Sequence, residues 1–149
     1  MAIVDQTYVD PSALAKLYLH EKGSREVATW RRKNEGPIIV THHGRTELIN
    51  AICISSFVGA LDDATRAQAL SDVADDFARG DLKQADILWR SALNRAAELS
   101  QRFTPTLGTR SLDVLHVACA LELQHRYLLS TDQRQRRLAA SVGLKLIDL

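Results

Sequence analysis

Short apolar runs of three or four residues alternate with longer stretches of helical periodicity, and that alternation restricts the chain to a parallel α/β sheet. Thr7-Tyr8-Val9 is the first run. Asp10-Pro11 then opens a helix expected to reach about His20, since Asp caps well and Pro suits the first helical position. Ser24 is placed to cap a second helix through about Lys33, and the turn Asn34-Glu35-Gly36-Pro37 leads into the strand Ile38-Ile39-Val40. Thr41 caps a helix to about Val58. Asp62 and Asp63 start another that Gly80 stops, and residues 81–86 form a short edge strand. Leu88, Ala92, Ala96, Leu99 and Phe103 mark the next helix, and Pro105 and Gly108 make 104–109 a loop. A helix from about Ser111 to Gln124, a strand 127–130, a helix from Gln133 to about Ser141 and a strand 144–147 follow. No repeat, low-complexity tract or linker divides the chain, so residues 1–149 are expected to form one domain.

In an open parallel sheet, ligands bind beyond the carboxyl ends of the strands. Asp10 and Asp132 each lie just past such an end, and Glu47 and Asp113 lie in early turns of helices that begin at the same edge. Glu47 shares a helical face with Ala51, Ile54 and Val58, and Asp113 shares one with Val117, Ala120 and Leu121. An acid heading an apolar stripe is expected to point inward. Carboxylates gathered in a partly buried pocket repel one another, and burying even one ionised carboxylate is costly. Such a cluster calls for a divalent cation, and oxygen-only ligands favour Mg²⁺ or Mn²⁺ over zinc. Taken singly, Asp10 and Asp132 read first as helix N-caps, and Asp113 as an acid at the positive end of a helix. Glu47 has no such explanation. Four acids at one rim exceed what capping needs.

Composition narrows the function. The net charge is +1, so a nucleic-acid substrate would be gripped locally rather than along a long basic footprint. Cys53 and Cys119 lack a neighbouring Cys or His pair and read as small apolar residues of a reducing compartment. His42 and His43 likewise have no partner for zinc. The N-terminus lacks a secretory leader's pattern, and no apolar run approaches the ~18 residues a membrane helix requires. A cytoplasmic protein without membrane contact is expected. No Cys or Ser triad and no Gly-rich phosphate loop is present.

The residues resemble a known family. Tyr8-Val9-Asp10-Pro11-Ser12-Ala13-Leu14, continued by Lys16-Leu17-Tyr18 and Glu21, is similar to the opening of PIN-domain ribonucleases, especially the VapC toxins of bacterial toxin–antitoxin pairs. Thr46-Glu47-Leu48 resembles the second acidic element of that family, and the segment from Thr109 to Ala118 resembles its third and most specific one. Ser130-Thr131-Asp132, with Arg134-Gln135, Leu138-Ala139 and Gly143-Leu144, resembles its closing pattern. The resemblance is weakest across 60–105. It implies a three-layer α/β/α sandwich around a parallel sheet of four or five strands, and Mg²⁺- or Mn²⁺-dependent cleavage of RNA. It also implies that Asp10, Glu47, Asp113 and Asp132 hold the metal, that the toxin forms a homodimer, and that a VapB-like antitoxin covers its groove. Ile3-Val4-Asp5 offers a rival first strand and acid; Asp10 is preferred because Pro11 and Ser12 suit a helix start.

Around the acids, Ser12 and Ser130 are candidates to hydrogen-bond the carboxylates or metal-bound water, although Ser12 also reads as an ordinary first-turn residue. Arg110, one turn before Asp113, is a candidate for phosphate or a neighbouring acid, with a solvated loop cation as the plainer reading. His116 reads as a core histidine before a catalyst. Arg31-Arg32-Lys33 and Arg134, Arg136 and Arg137 read as solvated faces that are also placed to grip RNA backbone. Three functions compete: a ribonuclease toxin, a PIN-like nuclease of RNA processing or of DNA, and a catalytically silent binding domain.

Overall fold

A computed structural model describes residues 3–149; Met1 and Ala2, the start of the segment read above for a leader, lie outside it. A 3-10 turn at Ile3–Gln6 precedes β1 (Thr7–Val9), α1 (Pro11–Ala15), α2 (Ser24–Lys33), β2 (Ile38–Thr41), α3 (His42–Phe57) and α4 (Asp63–Arg79). β3 (Leu82–Ala85), α5 (Trp89–Leu107), α6 (Ser111–Glu122), β4 (Tyr127–Leu129), α7 (Gln133–Ser141) and β5 (Lys145–Leu146) complete it. All pairings are parallel: β4 lies between β1 and β5, and β2 pairs with β3. β1 and β2 run side by side without a shared ladder, so the five strands form two hydrogen-bonded groups.

Strand side chains alternate between two faces, and the core divides accordingly. Val9 and Leu129 pack with Leu14, Val27, Trp30, Leu48, Ile52 and Val73 from α1–α4. Their chain neighbours Tyr8 and Leu128 pack on the other side with Ala92, Val114, Val117 and Leu138 from α5–α7. Two apolar layers back to back on one parallel sheet make a three-layer α/β/α sandwich. No helix among the described residues is long and apolar enough to cross a membrane.

Local chemistry sets most boundaries. Asp10, Thr41, Asp62 and Asp132 cap their helices by accepting backbone N–H groups two or three residues on. Gly44, three residues past Thr41, has to be small. A Cβ there would lie 2.9 Å from Thr41 Oγ1, the atom that accepts the Gly44 N–H.

Several expected boundaries are corrected. α1 ends at Ala15 rather than near His20, because the N–H groups of Lys16, Leu17 and Tyr18 bond carbonyls three residues back and tighten the chain out of the helix. Gly23, not Ser24, caps α2; the Ser24 hydroxyl instead donates to the Leu19 carbonyl and accepts the Glu21 N–H. Residues 104–107 are helix rather than loop. Pro105 sits close enough to the end of α5 to be tolerated, and Gly108, at φ 64°, supplies the left-handed residue that closes it. The rival first strand at Ile3–Asp5 is a 3-10 turn, and Asp5 is exposed.

Two histidines store a pH dependence. Burial pushes His43 down to about 4, with the neighbouring His116 adding to it, and burial alone pushes His125 down to about 4. Both rings are harder to protonate folded than unfolded, so the unfolded chain binds more protons between pH 4 and 6.5. Stability is expected to be full above that window and to fall as pH drops through it. Urea midpoints at pH 7, 5.5 and 4.5 measure this, and His125→Leu should make the decline shallower. A midpoint constant across the window would contradict the assignment.

Candidate active site

The register of β1 and β4 builds the site. Val9 pairs with Leu129, so the chain leaves both strands side by side, and the Asp10 N–H donates to the Leu129 carbonyl at 2.9 Å. Asp10 caps α1 and Asp132 caps α7 from adjacent strand ends. α3, starting straight from β2, brings Glu47, and α6 brings Asp113. The four acids line one cleft of about 670 Å³, with Ser12, Ala51, Arg110, Leu112, His116 and Thr131 among the other wall residues. Asp10 and Asp113 are buried at 6% and 9% exposure, so ionised groups here need partners.

Every acid has a partner from the chain itself. Asp10 Oδ2 accepts the Ser12 N–H at 3.1 Å and a short hydrogen bond from the Ser12 hydroxyl, and Oδ1 accepts from Gln135 Nε2 at 3.0 Å. Asp132 Oδ1 accepts the Gln135 N–H at 2.9 Å. Arg110 donates from Nε to Asp113 Oδ2 at 3.2 Å and from its other end to Asp132 Oδ2 at 3.3 Å. Hydrogen bonding to Asp113, and then the charges of Asp113 and Asp132, raise the Arg110 pKa. Glu47 Oε2 accepts from His116 Nε2 at 2.5 Å.

The expected residues divide on this geometry. Ser12 faces the cleft and binds Asp10. Ser130 is buried behind it, and its hydroxyl accepts the Asp132 N–H at 3.2 Å, which steadies the backbone under that acid. Arg110 takes the neighbouring-acid role. The apolar stripe expected behind Glu47 does not turn inward: Ile54 and Val58 are 50% and 69% exposed. Leu48 and Ile52, on the adjacent row, carry the packing, and that rotation leaves Glu47 and Ala51 facing the cleft. Gln135, fully buried and bridging Asp10 and Asp132, entered the sequence reading only within the closing pattern of the family, with no role at the site. A second local signal is its place three residues after an N-cap Asp, the usual position of a capping-box Gln.

Four carboxylates, with hydroxyls beside them and no thiolate, give a donor set that fits a hard divalent cation such as Mg²⁺ or Mn²⁺. Position is a separate matter. Among the described residues, no three Asp, Glu, His or Cys side chains are grouped closely enough to hold one ion. Arg110 stands between Asp113 and Asp132 as a resident cation, and Glu47 leans on His116. The donors fit such an ion by type, while Arg110 occupies the space between two of them.

A parallel three-layer sandwich with an acidic cleft at the carboxyl edge of its strands defines the class of architecture. The chain belongs to the PIN domain family, whose profile matches residues 7–141. PIN domains are in general nucleases. The fold is similar to that of the crystal structure of PAE2754 from Pyrobaculum aerophilum, with a TM-score of 0.59 and 19% identity over 98% of this chain and 92% of that one. No curated protein matches the chain.

Proposed function

We propose that this PIN domain is a Mg²⁺- or Mn²⁺-dependent endoribonuclease acting as the toxin of a toxin–antitoxin pair. The observation that carries the nuclease reading is the meeting of Asp10, Glu47, Asp113 and Asp132 in one cleft although two of them cap, and two lie within, four separate helices. Capping accounts for Asp10, Asp113 and Asp132 one at a time, but not for a shared wall, and it does not account for Glu47 at all. These four acids would hold the ion, which when bound supplies an activated water and neutralises charge on the departing oxygen of a phosphodiester. Ser12 and Gln135 hold Asp10 in place, and Ser130 holds the backbone of Asp132.

Arg110 supports the partner reading. Its guanidinium already sits between two of the acids, so the cleft accommodates a basic side chain, and an antitoxin segment bearing Arg would use the same recognition. Because Arg110 competes for the same oxygens, Arg110→Gln is expected to tighten Mn²⁺ binding several-fold in calorimetric titration; weaker binding would mean that Arg110 positions Asp113 and Asp132 for the metal. For the homodimer, the end of α3 offers Ile54, Phe57 and Val58, with Phe57 85% exposed. Such a row is costly to leave in water and suits a second copy of the chain.

The test has two arms. Purified protein with Mn²⁺ should cleave single-stranded or looped RNA and lose that activity with EDTA. Expression of the chain alone should arrest growth, with relief by a cognate VapB-like antitoxin. Cleavage without growth arrest would move RNA processing ahead of the toxin reading, and cleavage of DNA alone would replace the substrate.

A further inference from the structure

We infer that His116 is a positioning residue for Glu47, acting as the middle of a buried chain Tyr8–His116–Glu47; this rests on the nuclease reading of the cleft. Glu47 is the one acid of the four that caps no helix and touches no backbone N–H, and its hydrogen bond to His116 is the contact that holds it. A glutamate has three side-chain torsions to immobilise, and an unanchored one loses much of its value to a preorganised site.

The anchor is itself rigid. His116 is 2% exposed and uses both ring nitrogens, Nε2 toward Glu47 at 2.5 Å and Nδ1 toward the Tyr8 hydroxyl at 2.6 Å. A carboxylate accepts, so Nε2 carries the hydrogen toward Glu47, and the Tyr8 hydroxyl donates to Nδ1. Burial holds the Tyr8 hydroxyl well above its ordinary value, so its proton stays in place. His43 stacks on the His116 ring at 4.5 Å and 20°, and is itself bound through Nδ1 to Thr41 Oγ1 at 3.0 Å, with the edge of Trp89 against its other neighbourhood. The plane of the imidazole is thereby set by Tyr8 of β1 and by His43 at the start of α3, itself held by Thr41 of β2 and Trp89 of α5. Any buried histidine needs partners for its ring nitrogens; what sets His116 apart is that one of its partners is a partly exposed acid on the cleft wall.

The geometry separates two conservative variants. The amide of Gln reaches about where Nε2 lies, and that of Asn about where Nδ1 lies. His116→Gln therefore keeps a donor for Glu47, and His116→Asn keeps a group for Tyr8 but withdraws the donor. With folding checked by circular dichroism, His116→Asn should weaken Mn²⁺ binding about 10- to 100-fold, the usual range for losing a group that orients a metal ligand, and His116→Gln should recover most of it. RNA cleavage should divide the same way, in kcat more than in KM. Tyr8→Phe removes one hydroxyl and should give a smaller loss in the same direction. In metal-free protein, two-bond ¹H–¹⁵N correlations should show His116 as a single tautomer protonated at Nε2. Equal behaviour of the Asn and Gln variants, or a ring protonated at Nδ1, would overturn the inference. A wild type with the expected tautomer that neither binds Mn²⁺ nor cuts RNA would instead overturn the nuclease reading.

Discussion

Asp113→Asn should reduce metal-dependent RNA cleavage by at least about 100-fold, the scale of removing one preorganised electrostatic group from an active site, and leave the fold in place. The substitution keeps the shape of the side chain and an oxygen able to accept the Arg110 N–H, now at 3.4 Å, so α6 keeps its start. It removes one negative charge from a buried position, where the charge matters most to a divalent cation. Asp10→Asn should behave alike, since Asp10 is the other buried acid of the cleft. Asp5→Asn should have no effect, because Asp5 lies exposed on the 3-10 turn outside the cleft walls. Cleavage rates and circular dichroism on the three variants decide the matter. Full activity in Asp10→Asn with loss in Asp5→Asn would transfer the first acid to Asp5.

The second large effect falls on stability. Leu128→Ala should cost about 3 kcal/mol, within the roughly 2–5 kcal/mol range for emptying a buried leucine site, and lower the melting temperature by roughly 10 °C. Leu128 is fully buried at the middle of β4, paired in register with Tyr8 on one side and Leu146 on the other. Val117, Leu138 and Ala139 belong to the same buried cluster and are themselves fully buried, so a cavity there has little room to collapse. Phe57→Ala is the control. At 85% exposure it should change monomer stability by less than about 0.5 kcal/mol while removing apolar surface from the face proposed for dimerisation. Urea unfolding at several protein concentrations separates the two, and a Leu128→Ala cost below about 1 kcal/mol would contradict the packing described.

The correspondence between sequence and fold follows the range of the interactions. Strands 7–9 and 38–40, the edge strand near 82–85, and helices starting at Pro11, His42, Asp63 and Gln133 are all visible locally, because caps and apolar periodicity act within a few residues. The misplaced boundaries at His20, Ser24 and 104–107 came from hydrogen bonds that residue type did not announce, such as the diversion of the Ser24 hydroxyl to Leu19. Cys119 read correctly as a buried apolar residue; burial pushes its thiol up to about 12.

By itself the sequence determined that this is a parallel α/β chain, that acids stand at the strand ends and helix starts, and that the PIN pattern runs through them. Those features depend on neighbours three or four positions apart. Only the tertiary structure decided how the acids are held. Gln135 reaches Asp10 across 125 positions, His116 reaches Glu47 across 69, and Arg110 reaches Asp132 across 22. Tertiary packing also turned α3 so that Leu48 and Ile52 bury and Glu47 opens to the cleft, although Ile54 and Val58 mark the row of Glu47 as equally apolar. Which of two adjacent rows meets the sheet depends on the surface offered by β2 and α1, and no local pattern in α3 records it.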